Sequence, residues 1–206
     1  PLGEDLVRRH DRRGLAVAAA DDLEEQVGVT VVVGQVAELI HHEQTGTSVV
    51  AVHARRAYPS SGLLWQPGVV LTAAHTIRRE TDIAVVLPDG SGTHATLAGV
   101  DSGTDVAALR LEAAHGAAAP LDETTSVRPG HYVVAVARDA AGALTASSGI
   151  VGHTGGEWRT WRGGRVERLI RLDGGLYPGL AGAAVGDASG HVLGAASQAF
   201  SRHHGV

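Results

Sequence analysis

The sequence predicts an all-β fold of two antiparallel β-barrels, preceded by a short N-terminal helical segment. Three observations carry this expectation. Short β-branched runs recur from Gly46 onward, each bounded by turn signals such as Pro88-Asp89-Gly90 and Ser102-Gly103. A run of Ala, Gly and Pro from Ala113 to Pro120 then interrupts them like a linker, after which the strand rhythm resumes. Finally, the residues best suited to chemistry are far apart in sequence, as expected when a site forms at the seam between two lobes.

In chain order, Glu4 to Arg13 is polar apart from Leu6 and Val7. Leu15 to Gln26 reads as helix, with Asp21, Asp22, Glu24 and Glu25 on a solvated face. Val29 to Val33 is β-branched, yet Val36, Leu39 and Ile40 continue at helical spacing, so strand and helix both remain open there. Strands are expected at Ser48 to Arg55, Gly62 to Gln66, Val69 to Thr72, Asp82 to Leu87, Thr93 to Asp101 and Asp105 to Glu112. Six short strands suggest a small closed barrel. The second set runs Tyr132 to Arg138, Leu144 to His153, Arg165 to Leu172, Ala183 to Gly186 and His191 to Gln198. The expected divisions are an N-terminal segment over 1–46, a first barrel over 47–118 and a second over 119–206.

Composition narrows the function. The 206 residues carry a net charge of -5, and all 17 basic residues are arginine, which argues against a general binder of phosphate backbones. Cysteine is absent, so neither a disulfide framework nor thiol chemistry is available. No apolar run approaches the ~18 to 20 residues of a membrane span, and the start lacks a signal-peptide pattern. The pairs His41-His42 and His203-His204 have no third ligand spaced with them and read as loop histidines; neither a metal nor a cofactor is expected. Trp158-Arg159-Thr160-Trp161-Arg162, with Arg165, Arg168 and Arg171, alternates aromatic and basic residues. Its period of two fits a solvated strand face, or a subunit or loop contact, better than a nucleic-acid platform.

In Tyr177-Pro178-Gly179-Leu180-Ala181-Gly182-Ala183-Ala184-Val185-Gly186-Asp187, glycines flank position 181 and allow a sharp turn. Such a turn can aim backbone N–H groups at one point, which suits an oxyanion. Upstream lie Leu71-Thr72-Ala73-Ala74-His75 and Thr104-Asp105-Val106-Ala107-Ala108-Leu109-Arg110. Each stretch alone reads more simply as a loop. Together they place a histidine, a carboxylate and a glycine-framed turn in the chain order of one type of catalytic triad.

Over roughly residues 47 to 200 these segments resemble the trypsin-like serine proteases, and within them the bacterial HtrA (Deg) branch, whose motifs read L-T-N-A-H and G-N-S-G-G. The resemblance implies two six-stranded antiparallel β-barrels of the trypsin-like type. It also implies a serine endopeptidase acting on misfolded proteins or peptides in protein quality control. His75 would be the general base, Asp105 its orienting carboxylate, position 181 the nucleophile, and the N–H groups of Gly179 and residue 181 the oxyanion hole. Leu176 and Tyr177 would lie near the pocket for the residue before the cut, with small or medium apolar side chains preferred. Ser197, Gln198 and Ala199 would pair with substrate backbone as an edge.

Family analogy further suggests homotrimers and an extracytoplasmic setting, in the periplasm, the cell envelope or secreted, although the composition also suits the cytoplasm. A final barrel strand and a PDZ domain would be expected only beyond Val206, so none is expected within this chain.

Two departures matter. Ala181 stands where the family has serine, so the chain is expected to be catalytically inert. An engineered Ser-to-Ala exchange accounts for a motif otherwise largely kept. The alternative is a natural pseudoprotease serving as a peptide-binding or chaperone module, and Ala183 and Ala184, in place of Gly and Pro, fit it. Leu180, unlike the aspartate of trypsin-type zymogens, cannot receive a new N-terminal amine, which implies regulation by loop ordering.

Overall fold

The computed structural model describes residues 43–55, 58–113, 116–121, 126–174 and 179–200. The first lobe is a barrel of β1 (Val49–His53), β2 (Ser60–Gln66), β3 (Val69–Ala73), β4 (Ile83–Val86), β5 (Gly92–Asp101) and β6 (Val106–Leu111). It closes in the order β1-β2-β3-β6-β5-β4, all neighbours antiparallel. Closure removes free edges and leaves an interior that Val50, Val52, Leu64, Val70, Ile83, Val85, Leu109 and Leu111 fill. Gly62 is a packing requirement, since a Cβ there would overlap the Val70 side chain. β5 and β6 pair through a register shift between Leu97 and Gly99, a bulge that bends the long strand round the barrel.

The second lobe departs from expectation. It is an open five-stranded sheet, ordered β11 (Leu169–Asp173), β8 (Leu144–Gly155), β7 (Tyr132–Arg138), β12 (Ala184–Asp187) and β13 (Val192–Ala195), rather than a closed six-stranded barrel. Two features leave it open among the described residues. Leu121 adds only an isolated parallel bridge to Val192, so nothing continues the sheet beyond β13. The expected strand from Arg165 to Leu172 is split: β10 (Arg165–Val166) pairs with β9 (Trp158–Arg159) in a separate ribbon, and only Leu169–Asp173 joins the sheet. Polar Glu167 and Arg168, both exposed, stand at the break. The sheet's core is Val133, Ala135, Ala137, Val151, Leu180, Ala183, Val185 and Ala196.

A second correction concerns helix. The described residues begin with one turn, α1 (Glu43–Gly46), in place of the short N-terminal helical segment expected before the first strand. The helical stretches read between Leu15 and Ile40 lie outside the described residues.

The lobes are joined at a polar seam where β7 crosses β1 and β2. Arg138, only 8% exposed, ends the apolar run of β7 and spreads its guanidinium over three backbone carbonyls. Nε donates to Val49 O at 2.6 Å, Nη1 to Gly142 O at 2.5 Å and Nη2 to Gly46 O at 2.9 Å. Burial pulls this guanidinium below its ordinary range without discharging it. The Arg138 N–H donates to Ser61 Oγ at 3.0 Å, so the same residue also grips β2.

Removing the guanidinium would leave these carbonyls unpaired. Arg138→Met should lower the unfolding free energy by about 3 kcal/mol, read as a reduced urea midpoint at unchanged slope. Arg138→Lys should recover less than half of that, because one ammonium cannot span the fork. An unchanged midpoint in Arg138→Met would remove the seam from the stability of the fold.

Candidate active site

His75 lies in the 3-10 turn Ala74–Thr76 that follows β3. The turn forms because buried Thr76 donates its hydroxyl to Ala73 O at 2.7 Å and the Ile77 N–H closes on Ala74 O at 3.1 Å. Asp105 precedes β6 with φ of 61°, a left-handed conformation that aspartate tolerates better than most residues. Asp101 shapes the approach by accepting the Gly103 N–H at 2.8 Å and the Thr104 hydroxyl at 2.6 Å. The Ala74 N–H donates to Asp105 O at 3.0 Å, tying the two loops together.

The side chains then meet. His75 Nδ1 is 2.8 Å from Asp105 Oδ2, and the His75 backbone N–H donates to Oδ1, also at 2.8 Å. The Ser197 hydroxyl donates to Oδ2 at 2.5 Å. The carboxylate is fully enclosed, whereas the imidazole keeps 26% of its surface open. Burial raises the Asp105 carboxyl, but the bonds from the His75 ring, the Ser197 hydroxyl and the His75 N–H outweigh it, and the net displacement is downward. Because a carboxylate only accepts, the neutral imidazole carries its proton on Nδ1 and presents a lone pair on Nε2.

The glycine-framed turn is fixed independently of any side chain at 181. Gly179 and Gly182 have φ of 111° and 78°, both in the region that favours glycine. Leu180 is fully buried in the core of the second sheet. The Ser61 N–H donates to Ala181 O at 2.9 Å, the Gly182 N–H to Ala196 O at 2.8 Å, and the Ala183 N–H to Leu180 O at 3.0 Å. Among the described residues, the N–H groups of Gly179 and Ala181 enter none of these bonds. A Cβ at Gly182 would overlap Ser61 O and come within 2.7 Å of Thr72 Oγ1, so the turn lies directly on β2 and β3. β3 is the strand that delivers His75.

Of the residues singled out in the sequence, His75, Asp105 and Ser197 are in direct contact, and Gly179 and Ala181 lie in the turn described above. Ala199 follows Ser197 closely, its N–H donating to Ser197 Oγ at 3.2 Å, and Gln198 lies half-buried between them. Leu176 and Tyr177 lie outside the described residues. Ser197 was expected to offer its backbone at a substrate edge; its hydroxyl in addition bonds the carboxylate, and a serine after two alanines carries no local signal of that bond. Ser61 was not anticipated either, and it touches both Arg138 and the turn. Among the described residues no group of three or more His, Asp or Glu side chains is arranged to hold a metal.

Residues 60–194 match the trypsin-like peptidase domain family. A probable periplasmic DegP-like serine endoprotease of Halomonas elongata is 29% identical over 151 residues, which is 73% of this chain and 31% of that protein. Its counterpart in Pseudomonas savastanoi pv. phaseolicola is 32% identical over 146 residues, 70% of this chain and 30% of its own length. The chain thus spans under a third of these relatives. Among solved structures, Deg5 superposes with a TM-score of 0.67 at 23% identity, covering 79% of this chain and 83% of that one. The serine endoprotease from Yersinia pestis gives 0.62 at 22% identity, over 77% and 56% of the two chains. The chain belongs to the trypsin-like peptidase family and is a relative of its HtrA/Deg-like serine proteases.

Proposed function

We propose that this chain is the protease domain of an HtrA-like serine endopeptidase whose nucleophile position is occupied by alanine. The observation that carries the reading is the His75–Asp105–Ser197 constellation, with an open imidazole and an enclosed carboxylate. With serine at 181, Nε2 of His75 would take the hydroxyl proton as oxygen attacks the peptide carbonyl, and Asp105 would stabilise the imidazolium. The tetrahedral oxyanion would be met by the N–H groups of Gly179 and residue 181. Collapse would break the C–N bond as the imidazolium returns its proton to the leaving amine. Water, activated by the same base, would then release the acyl group.

Alanine removes the covalent route but none of the bonds that hold the turn, which favours an inert protein with an intact site. We further propose protein or peptide substrates and an extracytoplasmic setting, by analogy with DegP-like endoproteases described as periplasmic, and homotrimers by the family resemblance alone.

Ala181→Ser should confer casein cleavage and fluorophosphonate labelling, raising the rate on the order of 10⁴-fold or more. His75→Ala in the same background should return both to the background level. A folded Ala181→Ser protein that takes up no label would defeat the hydrolase reading and favour a peptide-binding module.

Asp105 supplies a pH test. Its folded pKa is depressed, so its contribution to stability is present above the ordinary carboxylate value near ~4 and is lost as pH falls through the lower folded value. Asp105→Asn keeps a side chain that accepts the left-handed backbone. It should cost about 2 kcal/mol in urea unfolding at pH 7, a gap that closes on acidification below about pH 4. A gap independent of pH would show that the ionised carboxylate does not stabilise the fold.

A further inference from the structure

Beside His75 the surface opens into a cleft of about 540 Å³, lined by Arg78, Arg79, Leu97, Val100 and Arg162. Arg78 and Arg79 follow the histidine turn, Leu97 and Val100 come from β5, and Arg162 comes from the β9–β10 ribbon of the second lobe. All three arginines are exposed and, among the described residues, none is in an ion pair. They outnumber the single carboxylate that lines the cleft, Glu80. This local excess of positive charge stands against a whole-chain charge of -5.

The ribbon is not a loose appendage. The Thr160 hydroxyl donates to Gly103 O at 2.6 Å, and a Cβ at Gly164 would overlap the Gly103 backbone, so the ribbon seats on the loop that delivers Asp105. Its guanidinium is positioned as well: Arg162 lies 4.7 Å over the Trp161 ring. Trp158 in β9 meets Phe200 edge to face at 5.5 Å. A strand paired along 197–199 would therefore lead from the Asp105 end of that edge, at Ser197, towards Phe200 and the ribbon.

Resting on the protease reading above, we infer that this cleft receives the stretch of substrate preceding the cut and selects acidic side chains there. Guanidinium groups suit carboxylates because their donors match them in pairs, while Leu97 and Val100 supply an apolar floor for the stems of Asp and Glu. Position 181 and the cleft then read different parts of one peptide. The bond to be cut lies at position 181, and carboxylates are taken upstream of it.

The test uses the chain as it stands and fluorescein-labelled peptides of one length carrying Glu, Gln or Lys two to four residues before a valine. By anisotropy the Glu peptide should bind about tenfold more tightly than the Gln peptide, and the Lys peptide more weakly still. The preference should shrink to within about twofold in Arg78→Glu/Arg162→Glu and in 0.5 M NaCl, with melting curves showing that the variant remains folded. Equal binding of the three peptides would overturn the inference, as would tighter binding of a single-stranded oligonucleotide of matching charge.

Ala181→Ser then separates the two readings. Cleavage that follows the same order supports both. Cleavage indifferent to charge sinks acidic selection and leaves the protease, whereas acid-selective binding with no cleavage keeps the cleft and sinks the protease.

Discussion

The Asp105 carboxylate is withdrawn from water, and an ionised carboxylate in that position costs several kcal/mol unless donors replace its hydration. Those donors come from both lobes: the backbone and ring of His75 from the barrel, and the Ser197 hydroxyl from the segment after β13. Satisfying one buried anion therefore brings the two lobes together at the site. It also sets the orientation of the imidazole, because the ring must present Nδ1 to the carboxylate and is left with Nε2 free to act. Stability and chemistry share these bonds.

Around that anion the seam is almost wholly backbone chemistry. The Arg138 guanidinium reaches only carbonyls, Ser61 bridges the Arg138 backbone and the turn, and Gly182 rests on Ser61. Gly103 and Gly164 make a second close approach at the ribbon. Contacts of this kind depend on particular glycines and one guanidinium rather than on apolar area. They leave little freedom in the relative placement of strands, since neither a missing side chain nor a backbone carbonyl can adjust as a leucine can. A site assembled across two lobes needs that kind of seam.

Much of the barrel was legible in the sequence, because a closed sheet writes its inward face into each strand: Val50 and Val52, or Leu109 and Leu111, recur at the period of two. His75 and Asp105 were legible as motifs for a different reason, since the turns that bear them are local. The open second sheet was not legible. Whether β11 and β13 meet depends on edges far apart in sequence, and the run from Arg165 to Leu172 gave no hint that its first two residues would leave the sheet for a ribbon. Ser197 and Arg138 were missed as structural partners for the same cause: the atoms that each one bonds lie 92 and up to 92 residues away.

The division between what holds the turn and what would react in it bears on the alanine at 181. The turn is held by the buried Leu180 side chain, by the absence of a side chain at Gly182, and by backbone groups of residues 180 to 183. The Ala181 methyl takes part in none of these hydrogen bonds, but the residue is itself buried, so a serine there would have to give its hydroxyl a partner. The backbone bonds of the turn are therefore compatible with either residue, while the side chain at 181 is left to find its partner at the His75 side of the site or to need none. With alanine at 181 the imidazole is oriented and the enclosed carboxylate keeps its donors, so these features do not depend on a hydroxyl at that position.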